Sequence, residues 1–186
     1  MDDHLKQSLE ILKSGEVLLY PTDTIWGIGC DATQPEAVEK IYGIKKRGDR
    51  KNMVVLVNQP EMISSYVIQI PSIAWELMDA AIHPLTLIFP GAKNLATNLL
   101  ADDGSIAIRV CNQTFCNTLI ERFRKPIVST SANFTGAPWP ATYDDIHPDI
   151  IKSVSFVIPP HLYSPGTQQP SSIIKLGINN EVKILR

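Results

Sequence analysis

Three short stretches of this chain carry side chains suited to binding a charged ligand. Thr22-Asp23-Thr24 follows the apolar run Val17-Leu18-Leu19 and places three small donors and acceptors at the end of a predicted strand. The segment from Lys45 to Lys51 holds five of the seventeen basic residues within seven positions. Ser129-Thr-Ser-Ala-Asn133 adds hydroxyls and an amide. The set has no obvious nucleophile and indicates catalysis by positioning and charge neutralisation, as in phosphoryl or nucleotidyl transfer.

The segment 129–133 continues a predicted strand that begins at Ile127-Val128. Alternation along extended backbone turns Ser129, Ser131 and Asn133 to the same side. Such a row of neutral hydrogen-bonding groups suits phosphate oxygens or the polar ends of an amino acid. An ordinary Ser/Asn turn is the alternative interpretation of the same residues.

Arg109 is the single cation of the apolar segment Ile106–Val110. A buried guanidinium needs a partner, because burial of an unpaired charge is very costly. Two interpretations stay open: a structural ion pair, or a bidentate grip on a ligand carboxylate.

Several familiar motifs are excluded. The segment 27–32 fits the loose GxGxxA pattern, but six residues beginning with Pro21 separate it from the preceding strand, whereas a dinucleotide turn follows its strand directly. We expect Gly27 and Gly29 instead to let the backbone pass close to a ligand. No Gly-Lys dipeptide, GxSxG, HExxH or paired Cys/His spacing occurs, so neither a phosphate loop, a hydrolase elbow nor a metal site is predicted.

Composition narrows the class of protein. With 186 residues, 44% of them hydrophobic and 19% charged, the chain is long enough for one domain with a sizeable core. A net charge of −2 gives no reason to expect general affinity for nucleic acid. The three cysteines form no CxxC pair, and their odd number argues against a disulfide framework. Neither a signal-peptide pattern nor a membrane-spanning apolar run is present, so we expect a cytoplasmic protein.

The apolar periodicity predicts a mixed, twisted α/β sheet with flanking helices in a single domain, 1–186. Helices are predicted at 3–14, 33–44, 60–67, 71–82, 92–100, 113–124 and 143–153. Strands are predicted at 16–20, 53–57, 85–89, 105–110, from 127 onward, 171–176 and 181–185.

Five spaced motifs resemble the YrdC-like family. In chain order they are Tyr20-Pro-Thr-Asp-Thr-Ile-Trp-Gly-Ile-Gly29, Lys45-Lys-Arg47, Pro84-Leu-Thr86, Pro126-Ile-Val-Ser-Thr-Ser-Ala-Asn133 and Pro170-Ser-Ser-Ile-Ile174. The resemblance implies a twisted mixed sheet around a deep basic cavity. It also implies synthesis of threonylcarbamoyl-AMP and pyrophosphate from L-threonine, bicarbonate and ATP, for the threonylcarbamoyladenosine modification of tRNA.

The resemblance further implies roles for individual residues. Members of the catalytic set are Lys45, Arg47, Ser131 and Asn133. ATP would be bound by Arg47, Lys51, Ser105, Ser129, Ser131 and Arg186. Threonine would be bound by Thr24, Arg109 and Ser171. Mg²⁺ would be held through the nucleotide, with no metal site on the protein itself. A separate tRNA threonylcarbamoyl transferase complex would receive the product, with at most weak direct contact to tRNA or double-stranded RNA, and no membrane is involved.

Four positions depart from the family pattern. Leu56 stands where the family has a histidine, His83 and Ile82 replace a Pro-Gly before Pro84, and Gly48 replaces a proline. Two alternatives therefore stay open. One is a YrdC-like paralogue with a different carbamoyl or nucleotide substrate, and the other is a non-catalytic RNA-binding module.

Overall fold

The computed structural model describes residues 3–46 and 53–186. The strands described there are β1 (Leu18–Pro21), β2 (Trp26–Gly29), β3 (Val54–Val57), β4 (Leu85–Phe89), β5 (Ile106–Val110), β6 (Ile127–Ser131), β7 (Phe156–Val157), β8 (Ser172–Leu176) and β9 (Val182–Ile184). The α-helices of these ranges are α1 (Asp3–Lys13), α2 (Pro35–Ile44), α3 (Ile73–Ala80), α4 (Thr114–Phe123) and α5 (Pro148–Ser153).

The strands form one mixed sheet in the order β7-β1-β2-β6-β3-β5-β4-β8-β9. Three neighbouring pairs run parallel, namely β3 with β5, β4 with β8 and β1 with β7, and the other pairs run antiparallel. With helices packed on both faces, this confirms the predicted mixed α/β fold.

The two faces of the sheet are covered differently. One face packs against α2, α3 and the 3₁₀ helix Pro60–Ser65 in a large apolar cluster. On the opposite face, α1 and α4 cover β1 and the part of the sheet around Leu56 and Ile127. Two residues further along the same face, Val54 packs at the edge of this second cluster and, together with Ser129, lines a cavity. The site therefore lies where helical cover of the sheet ends.

Helices α1 and α4 form as their apolar spacing predicts. In α1, Leu5, Leu9 and Leu12 are buried, and Gly15 follows the helix with a left-handed φ of 70°. In α4, the Gln113 side chain accepts a hydrogen bond from the Cys116 amide at 2.7 Å and caps the first turn.

The hairpin β1–β2 corrects our prediction for the two glycines. Segment 26–29 is a strand paired to β1 on one side and β6 on the other, which the sequence pattern did not predict. A Cβ at Gly29 would collide with the Val128 carbonyl oxygen and lie 2.8 Å from the Tyr20 ring. Tyr20 crosses this gap to donate its hydroxyl to the Val128 carbonyl at 3.0 Å. A Cβ at Gly27 would lie 3.0 Å from Ser129 Oγ. Both glycines permit close packing within the protein, not close approach of a ligand.

Three predicted helices depart most from their expected extent. Segment 60–67 forms the 3₁₀ helix Pro60–Ser65, and within 92–100 only Thr97–Leu99 is helical. Segment 143–153 divides into the 3₁₀ turn Tyr143–Asp145 and α5, because Pro148 starts a new helix. Among the described residues, no helix has both the length and the apolar character needed to cross a membrane.

Candidate active site

A cavity of about 370 Å³ opens on the part of the sheet face that α1 and α4 leave uncovered. Its floor consists of side chains that alternate toward one side of neighbouring strands, namely Val54, Ile88, Ala107, Ser129 and Ile173. Within the described residues, the lining contains two arginines and no carboxylate. The cavity is therefore suited to an anionic ligand.

One side of the cavity, which we call the arginine wall, consists of Thr24, Thr86, Arg109 and Ser171. Arg109 Nη2 lies 3.1 Å from Asp23 Oδ1 and donates to Thr24 Oγ1 at 3.2 Å. Both members of the ion pair are more than nine-tenths buried. Arg109 Nε has no hydrogen-bond partner in the described part of the chain. Arg109 thus forms a structural ion pair and also lines the cavity, so the two interpretations of this residue are compatible.

A directed chain of hydrogen bonds fixes the turn that carries Thr24. Thr22 Oγ1 donates to the Ile25 carbonyl at 2.8 Å, so its only hydroxyl proton is used there. In the 2.8 Å contact between the two threonine hydroxyls, Thr24 must therefore be the donor. Because Thr24 also accepts from Arg109, its remaining capacity toward a ligand is that of an acceptor.

Thr86 and Ser171 join β4 to the start of β8 on the same wall. Their hydroxyls lie 2.7 Å apart and both residues are buried. At the rim, Arg186 Nε donates to the Ser171 carbonyl at 2.9 Å. Burial and the positive charge of Arg109 lower the pKa of Arg186. Within the described residues, Arg109 in this wall and Arg186 at its rim have one carboxylate side chain as an ion-pair partner, Asp23, so this side of the cavity attracts anions.

The facing side, which we call the asparagine wall, consists of Ser129, Ser131 and Asn133. All three line the cavity, as strand alternation predicts. Asn133 Oδ1 accepts from Ser131 Oγ at 2.5 Å and from Lys45 Nζ at 3.1 Å, and Asn133 Nδ2 donates to the Ala137 carbonyl at 2.6 Å. Asn133 therefore connects β6, the end of α2 and the loop that follows β6.

Lys45 and Ser105 lie outside the cavity lining. Lys45 is buried and reaches the site through the Ser131 carbonyl, at 2.6 Å from its Nζ, and through Asn133. Ser105 precedes β5 and donates its hydroxyl to Asp103 at 2.5 Å, at the opposite end of the strand from Arg109. Arg47 and Lys51, predicted to face the triphosphate, lie outside the described residues. Their assignments to ATP stay predictions.

Of the family departures, Leu56 and His83 lie away from the cavity lining, and Gly48 lies outside the described residues. Leu56 pairs in register with Arg109 and is buried in the core cluster beneath α1 and α4. His83 lines a separate depression behind the arginine wall, together with Asp23 and Asn112.

Two residues of the site received no individual role from the sequence. Thr86 belongs to the motif Pro84-Leu-Thr86, to which the sequence assigns no individual role. Asp23 was one of three polar residues in a row, although the need of Arg109 for a carboxylate could have pointed to it.

The sheet, the helical cover of both faces and the arginine-bearing cavity together define an α/β domain with a cavity suited to small anionic ligands. The Sua5/YciO/YrdC family model, described as telomere recombination, matches residues 10–186. The chain belongs to this family, which confirms the resemblance found in the sequence.

Known relatives agree with this assignment. A Photobacterium profundum protein named threonylcarbamoyl-AMP synthase is 31% identical over 159 residues, which are 84% of this chain and 86% of that protein. Escherichia coli YciO superposes with a TM-score of 0.83 at 24% identity, covering 100% of this chain and 89% of that one. P. abyssi Sua5 complexed with L-threonine superposes with a TM-score of 0.87 at 23% identity, covering 98% of this chain. The chain spans about half of that Sua5, 53% of its length.

Proposed function

We propose that this chain is a threonylcarbamoyl-AMP synthase, which forms threonylcarbamoyl-AMP and pyrophosphate from L-threonine, bicarbonate and ATP. The observation that carries the proposal is the arginine wall with Arg186 at its rim, where two guanidinium groups and several hydroxyls face a cavity whose described lining contains no Asp or Glu. The name shared by relatives about 30% identical agrees with it.

The arginine wall fits threonine. The carboxylate of threonine would lie against Arg109, whose guanidinium has donors beyond those used by Asp23 and Thr24. The amine would donate to Thr24, since that hydroxyl is left with accepting capacity only. The paired hydroxyls of Thr86 and Ser171 can exchange donor and acceptor roles and so suit the hydroxyl of the substrate.

The proposed reaction brings two anions together. The threonine amine and bicarbonate give a carbamate and water, and a carbamate oxygen attacks the α-phosphorus of ATP. The new P–O bond forms as the bond between the α-phosphorus and the bridging oxygen breaks, and pyrophosphate leaves with that electron pair. Repulsion between carbamate and phosphate is the main barrier that protein charges can lower. Arg186, at the rim beside Ser171, and Lys45, which contacts Asn133, would supply these charges.

The asparagine wall would hold the nucleotide. Ser129 and Ser131 face the cavity as hydroxyl donors for phosphate or ribose oxygens. The described residues contain no group of three or more His, Cys, Asp or Glu side chains that could hold a metal ion. We therefore propose that Mg²⁺ enters bound to the ATP phosphates. Transfer of the product to tRNA by a separate complex, weak RNA contact by this chain and a cytoplasmic location belong to the same proposal.

An omission assay tests the proposed reaction. Pyrophosphate release is measured with ATP, threonine and bicarbonate, leaving out one substrate at a time. We expect release only when all three are present. Release that ignores threonine would contradict the synthase and favour a YrdC-like enzyme with another substrate. No turnover together with tight RNA binding would favour the non-catalytic module, although a net charge of −2 speaks against it.

A further inference from the structure

Trp139 presents a large aromatic surface at the cavity for which the protein supplies no cover. It lines the cavity beside Asn133, and 51% of its surface is exposed. The other cavity residues offer hydroxyls, an amide, guanidinium groups or aliphatic side chains. An indole exposed at the edge of a binding cavity offers a π-face for stacking, which the rest of the described lining lacks.

The loop that carries Trp139 is held in place before any ligand binds. The Asn133 amide donates to the Ala137 carbonyl at 2.6 Å, and the Ala137 amide donates to the Phe134 carbonyl at 3.1 Å. Gly136 between them adopts a left-handed φ of 86°. Pro138 and Pro140 flank the tryptophan and restrict the backbone on both sides. The indole is therefore positioned by the same asparagine that organises the asparagine wall.

We propose that Trp139 is the stacking platform for the base of the nucleotide and a positioning residue for ATP. The nucleotide as ligand rests on the proposed function, and the residue and its contact are the new element. Of the three substrates, only ATP carries an aromatic ring that can lie on an indole. If the phosphates of the nucleotide face Ser131 and the arginines of the cavity, its base would extend toward the loop beyond Asn133. Stacking on an aromatic side chain tolerates any base, so Trp139 contributes affinity and not discrimination between purines.

Steady-state kinetics of pyrophosphate release test this contact with Trp139→Ala. We expect the KM for ATP to rise by roughly 5- to 100-fold, the range that loss of one base–aromatic stack produces, while the KM for threonine stays unchanged. Trp139→Phe keeps a π-face and should restore most of the affinity. The matched control is Trp75→Ala, since Trp75 is also exposed, at 40%, but lies on α3 on the other face of the sheet. Its KM for ATP should equal that of the unmodified protein.

Inorganic tripolyphosphate separates stacking from distortion of the loop, because it has the phosphates of ATP but no base. Its inhibition constant against ATP should be the same in Trp139→Ala and in the unmodified protein. An unchanged KM for ATP in the alanine variant would overturn the proposal, and so would an equal weakening of ATP and tripolyphosphate. Absence of turnover in the unmodified protein would instead overturn the proposed function. In that case, tryptophan fluorescence tests the contact. ATP should quench the emission of the unmodified protein but not that of Trp139→Phe. No quenching in the unmodified protein would overturn the contact.

Discussion

The two walls of the cavity are stabilised in different ways. The arginine wall contains a buried charge that the protein neutralises itself, through the 3.1 Å contact between Arg109 and Asp23. The asparagine wall contains no charge of its own. Asn133 links it to Lys45, from whose ammonium group it accepts a hydrogen bond, and to the following loop, where it donates to the Ala137 carbonyl. The arginine wall thus holds a fixed charge that is paired within the protein. The asparagine wall connects three segments, namely β6, the end of α2 and the loop that follows β6.

This difference predicts different consequences of substitution. A change in the arginine wall alters the field that a ligand experiences, because a buried charge acts in a low dielectric. A change in the asparagine wall alters the positions of the catalytic side chains, because Asn133 is uncharged and acts by holding its neighbours in place. The variants below are ordered by the size of the effect expected.

Arg109→Lys should have the largest effect. Lysine keeps a positive charge beside Asp23, so the fold should survive, but it cannot reproduce the planar fork of donors. We expect kcat/KM for threonine to fall by roughly 10²–10³-fold, the scale of losing one preorganised electrostatic donor. Steady-state kinetics with threonine varied provides the measurement, and thermal unfolding provides the control. A kcat/KM for threonine within a fewfold of that of the unmodified protein would show that a positive charge alone is enough to bind threonine, without the guanidinium fork.

Asn133→Ala should affect the other wall. It removes the acceptor for Lys45 and Ser131 and the donor to Ala137, so the catalytic groups lose their relative positions. We expect kcat/KM for ATP to fall by about 10²-fold, as misplacement by an ångström can produce. Asn133→Asp keeps the acceptor for Lys45 and loses the donor to Ala137, but it also adds a negative charge beside the nucleotide, so its kcat/KM for ATP should fall at least as far. An Asn133→Ala variant with the activity of the unmodified protein would contradict the role given to Asn133.

Thr86→Val should have a smaller effect, confined to the arginine wall. The substitution keeps the shape of the side chain but removes the hydroxyl partner of Ser171. One neutral hydrogen bond contributes about 0.5–1.5 kcal/mol, so the affinity for threonine should fall by roughly 2- to 10-fold. Thr86→Ser retains the hydroxyl and should bind threonine normally. A valine variant with weakened ATP binding alone would contradict the assignment of this wall.

Asp103→Asn lies outside both walls and should have the smallest effect. Hydrogen bonds from Lys175 and Ser105 hold the pKa of Asp103 well below its usual range. A depressed carboxyl pKa contributes stability that is fully present above the unfolded-state pKa, near 4, and is lost as the pH falls toward the folded-state pKa. Because the pair is largely exposed, its loss should cost less than about 1 kcal/mol at pH 7. Urea unfolding from pH 7 to 3.5 should show this difference shrinking, and a difference that grows toward low pH would contradict the assignment.

The sequence predicted the asparagine wall better than the arginine wall, for a physical reason. Residues 129–133 are contiguous, and local alternation alone places Ser129, Ser131 and Asn133 together. The arginine wall draws on a turn, β4, β5 and the start of β8, which only the sheet order brings together. Asp23 and Arg109 are 86 positions apart, so no local pattern joins them.

Strand β2 and its glycines show where local patterns mislead. Two glycines in four residues argue against a strand, but β2 pairs on both sides, and tertiary pairing overrides the local preference. The close approach that glycine permits is made here by Tyr20 and β6. Deducing that from sequence would require knowing in advance which strand lies beside β2.

Titration calorimetry of L-threonine against Arg109→Lys and Asn133→Ala tests the division of labour between the walls most directly. With threonine in the arginine wall, Asn133→Ala should bind the amino acid with the affinity of the unmodified protein, whereas Arg109→Lys should lose binding by at least tenfold. Threonine binding that is lost in Asn133→Ala and retained in Arg109→Lys would contradict the account.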